Sequence, residues 1–227
     1  AANREIYELL KNGIRVSVAA PEETPSPGPA GHPLPEGDGL RDGRRKARIP
    51  PLPLGEGAGG EGSRQGSGGQ RLVRVCVIDW ENPAANDFLL VSQFSVTGAL
   101  YTCRPDLVGF VNGLPLLFIE LKASHRRLET AFTGNLRDYK DTVPHLFWPN
   151  ALIILSNGSQ SRVGSVTAGW EHFAERKKVG SEDEAGRVSL ETMLRGVCEP
   201  ARLLDLVENF CLFQEVPGEL IKLMAKV

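Results

Sequence analysis

Arg104-Pro105-Asp106-Leu107-Val108-Gly109-Phe110-Val111-Asn112-Gly113-Leu114-Pro115-Leu116-Leu117-Phe118-Ile119-Glu120-Leu121-Lys122 is two apolar runs joined by Asn-Gly and bounded by charge. Asn-Gly between runs rich in Val, Leu, Ile and Phe predicts a β-hairpin, because both residues tolerate the positive φ of a tight turn. On a strand Glu120 and Lys122 share one face while Leu121 points to the other. Burying a carboxylate and an ammonium at the end of an apolar strand is costly unless charge fills the space between them and Asp106. A divalent cation and a phosphate would fill it.

The hairpin poses a geometric problem. With a strict two-residue loop Val111 pairs with Leu114, and Asp106 falls opposite Ile119, which puts the two acids on opposite faces. Bringing Asp106 beside Glu120 requires a departure from ideal pairing: a three-residue loop with a bulge, or a break at Pro105.

The chemistry such a trio supports is metal-assisted hydrolysis of a phosphodiester. Asp106 and Glu120, with the Leu121 carbonyl, are hard oxygen ligands suited to Mg²⁺, which binds through one or two carboxylates plus substrate phosphate. A bound metal activates water, and Lys122 would orient that water and neutralise charge on the phosphate. Asp138-Tyr139-Lys140 and Glu175-Arg176-Lys177 repeat the bare spacing, but in polar, helix-like sequence where positions i and i+2 do not face each other.

The rest of the composition narrows the field. The chain has 227 residues, 41% of them hydrophobic, and 26 basic residues against 28 acidic ones for a net charge of -2, so any nucleic-acid contact must be local. Cys76, Cys103, Cys198 and Cys211 show no Cys-x-x-Cys spacing, which fits reduced thiols better than zinc or a disulfide framework. No apolar run approaches the roughly twenty residues that cross a bilayer, and no signal-peptide pattern opens the chain, so a cytoplasmic protein is expected. Ala1 in place of Met suggests a fragment. No Gly-Lys-Ser/Thr occurs, which excludes a P-loop ATP site in these residues.

In order, Asn3 to Asn12 reads as a helix with Asn3 as N-cap and Gly13 ending it, and Ile14 to Ala20 as a strand. Glu5 and Glu8 are more simply solvated helix acids than a third carboxylate for the site. From Pro21 to Gln70 Gly and Pro dominate without an aromatic residue, a composition that does not offset ordering entropy by burial. His32-Pro33-Leu34-Pro35-Glu36-Gly37 and Pro51-Leu52-Pro53-Leu54-Gly55-Glu56-Gly57 are near-repeats within it, and Arg44-Arg45-Lys46-Ala47-Arg48 is a basic cluster offset by nearby acids.

Strands are expected over Arg71 to Trp80 and Phe88 to Val96, then the hairpin, then a helix from about His125 to Thr142. Ala151 to Ser156 is all apolar up to its last residue and reads as a strand buried on both faces. Leu190 to Gly196 and Pro200 to Phe210 read as helices, the second with proline in its first turn. The sum is α/β, a mixed β-sheet flanked by helices with a helical C-terminal tail.

These residues resemble the PD-(D/E)xK nucleases, and more closely the amino-terminal nuclease domain of type I restriction endonuclease R subunits. The resemblance is carried by Asn3 to Val16, Ile78-Asp79-Trp80 with Asn82-Pro83 and Asn86-Asp87-Phe88, Arg104 to Lys122, and Leu155-Ser156-Asn157-Gly158. Leu190-Glu191-Thr192-Met193-Leu194 and Leu204-Asp205-Leu206-Val207-Glu208-Asn209-Phe210 extend it. It implies a restriction-endonuclease-like core, Asp106, Glu120 and Lys122 as catalytic residues, and Asp106 and Glu120 as Mg²⁺ ligands. It also implies a Gln-x-x-x-Tyr motif used in DNA contact and catalysis; here the matching positions are Asn135 and Tyr139, one methylene shorter at the amide. On spacing alone Tyr139 is equally a core aromatic in line with Phe132 and Leu136. Arg126, Arg127, Arg137 and Lys140 offer a local basic surface, for a DNA backbone or for solvent.

The domain plan that follows is a nuclease domain over 1–20 and 71–188, a Gly/Pro-rich insert over 21–70, and a helical segment over 189–227 leading towards a motor. ATP is implied only for that motor in the parent protein. Double-stranded DNA and the methylase and specificity subunits are the implied partners. The alternative is a nuclease-fold module that binds DNA or docks subunits without cutting.

Overall fold

The computed structural model describes residues 2–19, 70–180, 186 and 188–225. They form α1 (Ala2–Asn12), β1 (Ile14–Ala19), β2 (Gln70–Val75), β3 (Phe88–Ser92), β4 (Val96–Thr97), β5 (Thr102–Cys103), β6 (Leu107–Val111) and β7 (Leu114–Leu121). A π-helical turn (Ala131–Leu136) then runs into α2 (Arg137–Thr142), followed by β8 (Leu152–Ser156), β9 (Ser161–Gly164), β10 (Ala174–Glu175), α3 (Leu190–Val197), α4 (Pro200–Asn209), β11 (Cys211–Val216) and β12 (Glu219–Met224).

The central sheet has the order β10-β9-β8-β7-β6-β3. Its pairs are antiparallel except β7–β8, whose parallel pairing requires the crossover that the π turn and α2 supply. The sheet is mixed, with a helical layer on each face. Tyr7, Leu10, Met193, Val197, Leu204 and Val207 from α1, α3 and α4 cover one side together with Ile119 and Ile154. Leu128, Leu136, Phe147 and Phe173 cover the other with Val108, Phe118 and Leu155. β8 is buried at every position, which is why its sequence is apolar without alternation.

The chain divides into two compact units, Ala1–Arg15 with Arg74–Val227, and Val16–Val73. Of the second, the described residues are the outer parts of β1 and β2, which pair in a sheet of their own. The Gly/Pro-rich stretch, its near-repeats and its basic cluster lie outside the described residues.

Several expectations need correction. Asn3 lies inside α1 and does not cap it; its amide donates to the carbonyls of Phe147, Trp148 and Asn150 at 2.8–2.9 Å, pinning the chain that enters β8. The strand expected to reach Trp80 stops at Val75, and the Ile78–Asn86 loop is fixed instead by Asn86, which exchanges hydrogen bonds with the Asp79 backbone. The strand expected over Phe88 to Val96 breaks at Gln93, whose φ is +52°. The helix expected from His125 starts only at Glu129 and is π-helical over Ala131–Leu136 before it continues as α-helix over Arg137–Thr142. Glu175 ends a β-strand on the sheet edge, so Glu175-Arg176-Lys177 is not helical.

The tail is helical only to Asn209. Beyond it β11 and β12 form an antiparallel hairpin with Val216 paired to Glu219 around Pro217-Gly218, where Gly218 has φ +83°. The signal for it was a Pro-Gly turn between runs with partial period-two alternation. The hairpin is part of the core: the Ser165 hydroxyl donates to the Lys222 carbonyl, and Lys222 Nζ donates to the Asn150 carbonyl at 2.7 Å.

Candidate active site

Asn112 (φ +49°) and Gly113 (φ +81°) make the two-residue turn that Asn-Gly favours. The Asn112 side chain also donates to the Val77 carbonyl at 2.7 Å and accepts from the Asp87 amide at 2.7 Å, so the turn is locked to the preceding loop. Val111 pairs with Leu114 and Phe110 with Pro115, but Gly109 pairs with Leu117, Val108 with Phe118 and Leu107 with Ile119. Leu116 is the extra residue. This bulge carries Leu116 and Leu117 into the same core layer and shifts the register so that Asp106 comes opposite Glu120. Gly109 permits it, since a Cβ there would stand 3.0 Å from Leu117.

Asp106 and Glu120 thus face the helical layer of the π turn and α2, with Lys122 two residues on. Glu120 is 2% exposed. Its Oε1 accepts from Lys122 Nζ at 3.2 Å and from Asn135 Nδ2 at 2.5 Å, while its Oε2 is buried with no hydrogen-bond partner. Burial, and next the nearby Asp106 charge, push the Glu120 carboxyl above its usual range, against the hydrogen bonds and charge of Lys122 and the Asn135 amide. Asp106 is oriented by the Leu121 amide, which donates to its Oδ2 at 2.8 Å.

The resemblance-derived helix residues both arrive at this site. Asn135 sits in the π turn, a distortion that recurs at functional sites, and its short amide reaches Glu120 directly. Tyr139 packs edge-on against Phe118 with centroids 5.5 Å apart and donates to the Arg104 carbonyl at 3.2 Å, which ties α2 to the chain just before Asp106. Burial pushes its phenol up, which keeps the hydroxyl a donor. Arg126, Arg127 and Arg137 are exposed nearby in sequence, and Lys140 is half-buried.

One positioning residue escaped the sequence reading. Gln93 donates from its backbone to the Asp106 carbonyl at 2.9 Å and from Nε2 to Asp106 Oδ1 at 3.2 Å. Its left-handed backbone is a conformation few non-glycine residues adopt, and nothing in the sequence marks it.

The donor set fits a divalent cation. Two neighbouring carboxylates, one with a buried oxygen that lacks a hydrogen-bond partner, are the kind of hard-oxygen donors that Mg²⁺ takes. Among the described residues no group of three or more His, Cys, Asp or Glu is placed to hold a metal ion. Glu5 and Glu8 line a separate cavity with Arg4, Glu215 and Glu219. All four cysteines are free thiols.

Residues 57–172 match the family model described as type I restriction enzyme R protein N terminus. The chain belongs to this family. It is similar to the type I restriction enzyme HindI endonuclease subunit of Haemophilus influenzae, 34% identical over 168 residues, covering 70% of this chain and 16% of that protein. It is also similar to the putative type I restriction enzyme MjaIXP endonuclease subunit of Methanocaldococcus jannaschii, 29% identical over 166 residues, with 63% of this chain and 16% of that protein covered. The type I restriction enzyme SsaAORF53P endonuclease subunit of Staphylococcus saprophyticus is 29% identical over 154 residues, with 66% and 16% covered. The chain spans about one sixth of the length of these relatives. Asp106, Glu120, Lys122, Asn135 and Tyr139 all lie inside the region matched to the R protein N terminus. No helix among the described residues is long and apolar enough to cross a membrane.

Proposed function

We propose that this chain is the nuclease domain of a type I restriction endonuclease R subunit, hydrolysing DNA phosphodiesters with Mg²⁺. The observation that carries the reading is the bulge-shifted register that sets Asp106 beside Glu120, with Lys122 on the same face and one Glu120 oxygen buried without a partner. Asp106 and Glu120 would hold the cation, which when bound supplies Lewis acidity and a more acidic water.

The protein's own groups do the rest. Lys122, 19% exposed, keeps its ammonium at the mouth of the site, where it offsets charge accumulating on the phosphate and orients the attacking water. Asn135 and Lys122 both donate to Glu120 Oε1, and Oε2 is left without a protein hydrogen-bond partner. Gln93 and the Leu121 amide hold one Asp106 oxygen each. Tyr139 fixes Arg104 and so the approach to Asp106.

The alternative of a non-cleaving module rests on the long insert over 21–70, which lies outside the described residues, and on the shorter amide at 135; that amide does reach Glu120. ATP use, and assembly with methylase and specificity subunits, are proposed for the whole R protein. The test is Mg²⁺-dependent nicking of plasmid DNA by this chain and its Lys122→Ala variant.

A further inference from the structure

We infer that the tip of the β4–β5 hairpin, Leu100-Tyr101, is an apolar wedge that contacts DNA bases beside the cleavage site. This rests on the nuclease reading. Leu100 is 80% exposed and Tyr101 64%, two adjacent large side chains left in water. Their exposure does not come from a loose loop. Val96 pairs with Cys103 and Thr97 with Thr102, the two threonine hydroxyls are 3.1 Å apart, and the Gly98 amide donates to the Tyr101 carbonyl at 2.8 Å.

The base of the hairpin is seated on the end of α2. Val96 is buried in the layer that holds Leu136 and Val143, and a Cβ at Gly98 would stand 2.1 Å from the Thr142 carbonyl oxygen. The same helix carries Tyr139, which bonds the Arg104 carbonyl just past the hairpin. The tip is therefore mounted on the walls of the site and cannot swing independently of them.

Position and chemistry select DNA as the occupant. Tyr101 is five residues from Asp106, a reach of at most about 18 Å. That keeps the tip within about five base-pair steps of a phosphate held at Asp106, close enough to touch a duplex bound for cleavage. Gly98-Ala99-Leu100-Tyr101 carries no charge, so it adds nothing to phosphate binding and suits the apolar face or the gap of a base step. Tyr101 offers a ring for base stacking, and Leu100 an aliphatic wedge of the type that opens stacked steps.

The test uses the full chain, its Leu100→Ser/Tyr101→Ser variant and its Lys122→Ala variant. Anisotropy of a labelled duplex is measured without added metal over a series of salt concentrations, and again with 2-aminopurine in the duplex to report unstacking. Both substituted tip residues are exposed, so equal melting temperatures confirm that the fold is kept. The expected result is about a tenfold loss of affinity in the tip variant with an unchanged salt slope, because phosphate contacts set that slope and stacking does not. The 2-aminopurine signal should rise with the parent and with Lys122→Ala, and stay flat with the tip variant. Equal affinity and equal fluorescence for parent and tip variant overturn the wedge while leaving the nuclease reading to the nicking assay. Tip-dependent binding without nicking by the parent overturns the nuclease reading and leaves a base contact with no cleavage site beside it, and failure of the parent to bind duplex overturns the wedge.

Discussion

Gln93 grips Asp106 twice, through its amide to the Asp106 carbonyl and through its side chain to Oδ1, from a left-handed backbone that ends β3. Such strained positions cluster where a functional group has to be held. Gln93→Ala should lower Mg²⁺-dependent nicking by about ten- to a hundredfold, the range seen when an outer partner of a metal ligand is removed. Gln93→Gly relieves the φ but not the lost amide. It should melt higher than Gln93→Ala and cut equally poorly, which thermal denaturation alongside plasmid nicking would check.

Asn135 acts through Glu120. Asn135→Ala should cost about ten- to a hundredfold in nicking rate. Because the π turn already delivers the shorter amide to Glu120 Oε1, Asn135→Gln should not exceed the parent. A Gln variant several times faster would show that the short side chain limits the site.

Mg²⁺ or Mn²⁺ should raise the melting temperature by several degrees at saturation, since a ligand at a hundred times its Kd stabilises by about 2.7 kcal/mol. A chelator should reverse the shift. Glu120→Gln and Asp106→Asn should abolish it, while Lys122→Ala keeps it. Loss of the shift in Lys122→Ala alone would place the cation elsewhere.

Lys222 gives the fold a pH signature far from the acids. It is 2% exposed, its Nζ bonds the Asn150 carbonyl and lies 5.6 Å from the Tyr7 ring centroid and 5.7 Å from that of Phe213, and burial lowers its pKa to about 8. Unfolded, it keeps its proton to higher pH, so the unfolded state binds more protons between about 8 and 10.5 and stability rises with pH there. Cys211, whose thiol burial pushes up, opposes this nearer pH 9 and above. The stability difference between parent and Lys222→Met should grow in the parent's favour by about 1 kcal/mol from pH 7.5 to 9. Denaturant titration at the two pH values measures it, and a constant difference would refute the buried cation.

The hairpin, its acids and the mixed sheet were legible because Asn-Gly chemistry and apolar runs are local signals. The same local reading exposed a parity conflict between Asp106 and Glu120, and named a bulge as one resolution. It put that bulge at the loop, whereas the extra residue is Leu116, where Gly109 leaves room on the facing strand. Gln93, the π turn at Asn135 and the hooks of Asn3 were not legible. Each depends on a partner distant in sequence or on a backbone angle that side-chain periodicity does not encode. The β11–β12 hairpin was readable from Pro217-Gly218 and was overshadowed by the two helices before it.

The most direct test is nicking of supercoiled plasmid in Mg²⁺ by the parent chain and by Lys122→Ala in parallel. The arrangement of Asp106, Glu120 and Lys122 predicts nicking by the parent alone, abolished by chelation. Equal nicking by both proteins, or none by either, would contradict it.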